Sequence, residues 1–72
     1  MAYELWETES ANMIADYPTE DAALDVVRRT VAAHGRAQVA TWALAFEDTR
    51  GRTKATAFGP DLADRALQAR SA

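Results

Sequence analysis

Pro18-Thr19-Glu20-Asp21-Ala22-Ala23-Leu24-Asp25-Val26-Val27-Arg28-Arg29-Thr30-Val31-Ala32-Ala33-His34-Gly35 is the stretch that decides the fold. Proline ends the segment before it. Thr19 offers a hydroxyl to the free amides of a helix start, and Glu20 and Asp21 put acids where the helix dipole favours them. Ala23, Leu24, Val26, Val27 and Val31 fall on one broad face at helical spacing, with Asp25, Arg28 and Arg29 on the other. Gly35 is the natural residue to leave the helix. The pattern predicts an amphipathic helix ending near His34, which needs a flat apolar partner.

That partner is read on both sides of the helix. Upstream, Tyr3-Glu4-Leu5-Trp6-Glu7-Thr8 is β-prone and roughly alternating, and Met13-Ile14-Ala15-Asp16-Tyr17 returns from a turn over 9–12. A positive φ in that turn would be costly for Ala11 and is better placed on Asn12. Downstream, 39–47 reads as the strongest strand, with Trp42, Leu44 and Phe46 on one side and Thr41, Ala43 and Ala45 on the other. Asp48-Thr49-Arg50-Gly51 has the composition of a type I turn with a bulge, and 52–58 returns as a fourth strand with Thr53, Ala55 and Ala57 on its small-residue side. Gly59-Pro60-Asp61 opens a short C-terminal helix with a stripe of Leu62, Ala63, Ala66 and Leu67. The expected fold is α+β, ββαββα, with a four-stranded antiparallel sheet in the order 2-1-3-4 and the main helix packed on one face.

Length and composition bound the rest. At 72 residues the chain is one domain, 1–72, too small to bury more than about 60 % of its unfolded surface. It has no cysteine, so neither a disulfide nor a zinc cluster can staple it, and help from a partner or a second copy is expected. Absence of cysteine fits a reducing compartment. No apolar run reaches the length of a bilayer span, and Met-Ala-Tyr-Glu-Leu lacks the basic and apolar regions of a signal peptide. The expected location is cytoplasmic. A net charge of −3 argues against a general phosphate binder.

Tyr17-Pro18-Thr19-Glu20-Asp21-Ala22-Ala23-Leu24 resembles the helix entry of small bacterial domains of unknown function, in which an aromatic residue and a Thr-x-acid-acid-Ala run follow an N-terminal hairpin. The segment Tyr3 through Ser10 with Asn12, and Val39-Ala40-Thr41-Trp42-Ala43-Leu44, are similar to the hairpin and third strand of such domains. The resemblance covers most of the chain and implies a layout, with no activity attached. The same helix entry is similar in layout to HicB-like antitoxins, which would imply a nucleic-acid-associated regulator. The Gly-rich acidic turn and the appended DNA-binding segment of that family have no counterpart here.

Candidate chemistry is sparse, and neither a catalytic residue, a metal ligand nor a cofactor is expected. His34 is the single histidine. Acid–base or metal chemistry would want a carboxylate or further ligands beside it, whereas its spacing from Ala23, Val27 and Val31 and its place at a helix C-terminus give it a packing or capping role. Glu4, Glu7 and Glu9 border the first strand, and Asp16, Glu20 and Asp21 gather at the strand–helix junction. Solvation and the helix start account for both groups. Arg50, Arg52 and Lys54 make a basic hairpin tip and edge, with Phe58 the one aromatic nearby. Nucleic acid could use them, but charge on an edge strand also prevents edge-to-edge aggregation.

The most informative feature is the small-residue side of the last two strands. Thr41, Ala43, Ala45, Thr53, Ala55 and Ala57 would form a flat, mildly apolar patch, where a solvated sheet face would carry longer polar side chains. The second helix is the first choice to cover it, then a second copy of the chain, then another protein. If Tyr3 and Leu5 point to the core, Trp6 borders the patch as an anchor. The expectation is a non-catalytic interaction or self-association module; the alternative is an antitoxin-like accessory to nucleic acid.

Overall fold

A computed structural model describes residues 2–70, and the side chains of 2–68. Strand β1 (Ala2–Glu7) turns into β2 (Asn12–Tyr17), helix α1 (Glu20–His34) follows, a 3₁₀ segment (Arg36–Val39) leads into β3 (Trp42–Glu47), β4 (Thr53–Phe58) returns, and helix α2 (Gly59–Arg70) closes the described chain. The strands form one antiparallel sheet ordered β2-β1-β3-β4. The expected ββαββα layout is therefore the observed one. β2 and β3 both run antiparallel to β1, so α1 crosses over it.

Local chemistry sets the element ends. The Thr19 hydroxyl accepts from the Ala22 amide at 3.1 Å, in the extended conformation an N-cap needs. Gly35, at φ 87°, donates its amide to the Val31 carbonyl and ends α1. Gly51, at φ 78°, and the Asp48 carboxylate, which accepts from the amides of Arg50 and Arg52, build the β3–β4 turn. In the first hairpin the positive φ falls on Ala11, at 56°, and not on Asn12. Asn12 is already the first residue of β2, so the turn ends one residue earlier than its composition suggests.

Both helices lie on the same side of the sheet. Leu5, Leu44 and Trp42 from the strands, Ala23, Leu24 and Val27 from α1, and Leu62, Ala63 and Ala66 from α2 form one buried cluster, with Val39 fully buried among them. Exposed ion pairs from Arg65 to Glu20 and from Arg36 to Asp64 tie α2 to α1 and to the 3₁₀ segment. Such pairs contribute little, and the apolar contact carries the seat of α2. The expectation that α2 covers the alanine-rich face is thus corrected: its Leu62, Ala63 and Ala66 join α1 in a single layer. Val39, expected at the start of the third strand, instead fills the core from the 3₁₀ segment.

Both hairpins carry a bulge. Across β1–β2, Leu5 pairs with Ala15 and Trp6 with Met13, which leaves Ile14 without a partner. Across β3–β4, Leu44 pairs with Ala57 and Ala45 with Ala55, which leaves Thr56 over. Each bulge moves every residue beyond it to the other face.

Candidate functional site: the uncovered sheet face

Pairing and alternation assign the two faces. Toward the helices point Tyr3, Leu5, Ala15, Tyr17, Trp42, Leu44, Phe46 and Ala57, all but Phe46 and Ala15 within or packed against the buried cluster. Phe46 meets Tyr3 in a tilted contact, with ring centroids 5.0 Å apart. Away from the helices point Met13 and Asp16 of β2, Glu4 and Trp6 of β1, Ala43, Ala45 and Glu47 of β3, and Thr53, Ala55 and Phe58 of β4. No element of the described chain lies over this second face.

The structure therefore gathers Trp6, Ala43, Ala45, Thr53 and Ala55 onto one surface, and Trp6 lies directly beside Ala43 on the neighbouring strand. It separates Ala57 from them. The Thr56 bulge turns Ala57 to the helix side, opposite Leu44, where it packs on the core. Thr41 precedes β3 and spends its hydroxyl on the Glu7 carboxylate, to which it donates. Its carbonyl accepts from the Thr8 amide at 2.9 Å, so 41 and 8 lock the end of the sheet.

Residue-type reasoning missed Met13 and Phe58. Across the four strands Met13, Trp6, Ala43 and Phe58 stand side by side in one row. Met13 is 47 % and Phe58 50 % exposed, high for large apolar side chains. The bulges hid both: without them, counting from Trp6 and Ala43 places other residues in the row. Next to this row runs a second one, Asp16, Glu4, Ala45 and Ala55. Ala45 is 5 % exposed although it lies outside the core cluster.

The face is electrostatically one-sided. Glu4, Asp16 and Glu47 are its charged residues, and no lysine or arginine takes a paired position on it. The Trp6 indole N–H donates to Glu4 Oε1 at 3.0 Å, which leaves only the apolar ring surfaces of that residue for a partner.

The other candidates fall elsewhere. Arg52 pairs with Asp48 at 3.4 Å, and Asp48 is held below its ordinary value by the amides of Arg52 and Arg50. Of the basic residues at the hairpin tip, Arg52 thus has a counter-charge beside it. Phe46, Asp48, Arg52, Thr53 and Lys54 line an open recess of about 390 Å³ there. His34 is exposed in the last turn of α1. Glu7 is held below its ordinary value first by the Thr41 hydroxyl and then by the amide and hydroxyl of Ser10. No group of three metal-ligating side chains comes together among the described residues. No described helix is long and apolar enough to cross a membrane. Compared with known proteins, the chain matches no family model, no curated protein and no solved structure.

Proposed function

We propose that this chain is a non-catalytic interaction module that binds protein through the uncovered face of its sheet. One observation carries the reading: an apolar row, Met13-Trp6-Ala43-Phe58, crosses all four strands with no described element over it. A sheet face meant for water alternates apolar-in with polar-out, whereas here large apolar side chains stand on the outer side. The small residues Ala43, Ala45 and Ala55 let a partner approach the backbone closely, and Trp6 and Phe58 supply the bulk that anchors interfaces. The acids on this face and the Asp48–Arg52 pairing at the hairpin tip favour a protein partner over nucleic acid.

The test uses A43E/A55E, which places two carboxylates on the face without touching the core. Tagged wild-type chain is expected to associate, with itself or with a protein retained from lysate, and the double variant is expected to lose that association while its thermal unfolding stays cooperative. Association that survives both substitutions overturns the reading, as does a wild-type chain that retains nothing and stays monomeric.

A further inference from the structure

Resting on that reading, we infer that the partner is a second copy of this chain, stacked face to face about a two-fold axis that runs parallel to the strands between β1 and β3. Such an axis exchanges β1 with β3 and β2 with β4. In the apolar row it sets Trp6 over the second copy's Ala43 and Met13 over the second copy's Phe58. The largest side chain meets the smallest, and a thioether meets an aromatic ring. Trp6 and Ala43 are adjacent on neighbouring strands, so the axis passes between them and the complementary contact occurs twice at the centre of the interface.

The same operator also fixes where the acids fall. In the second row Glu4 lands over the second copy's Ala45, and Asp16 over its Ala55. Glu47 lands over the second copy's Ala2. The acids of one copy thus meet alanines of the other, not acids. An axis along the apolar row instead would stack Trp6 on Trp6 and Ala43 on Ala43, leaving a clash and a gap.

The area suffices. The molecule is a slab of 34 × 31 × 16 Å with 4591 Å² of accessible surface. Its broad sheet side holds roughly a quarter of that, on the order of 1,000 Å², against about 800 Å² per partner in a standard interface. Aligned sheets pack about 10 Å apart with their strands within about 30° of each other, and that twist concentrates close contact near the axis, where Trp6 and Ala43 stand.

The test is a size exchange read by sedimentation equilibrium. The wild-type chain is expected to be a dimer in the micromolar range. W6A, which leaves two gaps, and A43W, which sets indole against indole, are each expected to weaken it at least tenfold. An equimolar mixture of W6A and A43W is expected to form a heterodimer close to wild-type strength, because each tryptophan again faces an alanine. F58A, which trims a half-exposed ring and spares the core, is expected to weaken the wild-type dimer about fivefold and holds the test open if A43W does not fold. A dimer indifferent to W6A and F58A overturns the inference, with the edge strands then the surface to examine. So does a mixture no stronger than its parts. A chain monomeric to about 300 µM also overturns it. In that last case the interaction reading survives if the wild-type chain still retains a foreign protein that A43E/A55E loses, and falls if it does not.

Discussion

Trp6 and Glu4 occupy the same face of β1 two positions apart, and the indole N–H donates to the carboxylate at 3.0 Å. The bond lays the ring along its own strand and answers its one polar atom internally. Removing the acceptor by E4A should free the indole. The Trp6 indole proton is then expected to move upfield in a nitrogen–proton correlation spectrum, while that of Trp42, on the helix side, stays in place. An unmoved Trp6 signal would show that the ring is held by packing alone.

Gly59 joins β4 to α2 at φ 53°, and a Cβ there would come within 2.7 Å of the Ala40 carbonyl oxygen. Backbone meets backbone, so neither side can yield cheaply. G59A should cost about 2 kcal/mol or more, combining left-handed strain with the clash. Gly51 has a positive φ but open space around it, so G51A should cost only about 1 kcal/mol. Urea midpoints of the two variants give the comparison, and equal losses would refute the close approach.

Ala11 presents the reverse case. It holds φ 56° at an exposed turn, where an L side chain is disfavoured. A11G should raise stability by about 0.5 kcal/mol, the relieved strain outweighing the added freedom of the unfolded chain. A lower urea midpoint would mean that the Ala11 methyl contributes more contact than its exposure suggests.

The seat of α2 is tested by two leucines five residues apart. Leu62 is fully buried in the shared cluster, whereas Leu67 is 36 % exposed. L62A should cost about 2–5 kcal/mol, enough to unfold much of a domain this small, and L67A under about 1 kcal/mol. Thermal melts of the pair decide it. Similar losses would place α2 differently.

Acid sensitivity should trace to two half-buried carboxylates. Glu7 is depressed from 4.5 by the Thr41 hydroxyl above all, and Asp48 from 3.8 by the Arg52 and Arg50 amides. Because folding lowers both values, the unfolded chain binds more protons between the folded and the unfolded values. Their contribution is fully present above the unfolded values and is lost as pH falls through the folded ones. The wild-type chain should therefore lose stability below about pH 4.5, and E7Q and D48N should each show a shallower decline, read as urea midpoint against pH. Parallel curves for all three would mean that neither bond persists in solution.

Much of this architecture was legible from composition and spacing. Thr19, Glu20, Asp21 and Gly35 mark the ends of α1 through local hydrogen bonds, and Asp48 with Gly51 marks the second turn; these signals act within four residues and survive any tertiary context. The strand order followed from where the helix sits between hairpins. Three features were not legible. The bulges at Ile14 and Thr56 have no local signature, and each reverses the facing of residues beyond it, which removed Ala57 from the expected patch and added Met13 and Phe58. The 3₁₀ turn ending at Val39 looks β-prone by residue type, but the core claims its side chain. The stripe of α2 showed that the helix needs an apolar neighbour without saying which side of the sheet supplies one.

The bulges at Ile14 and Thr56 both fall on the outermost strands, β2 and β4. An edge ladder interrupted in mid-strand offers an incoming chain no unbroken template. Lateral addition, which has no natural stopping point, is thereby discouraged on both flanks. A two-fold stack consumes the one sheet face it uses and leaves none for a third molecule. The same irregularities that obscure the pattern in the sequence thus work against open-ended filament growth at high concentration.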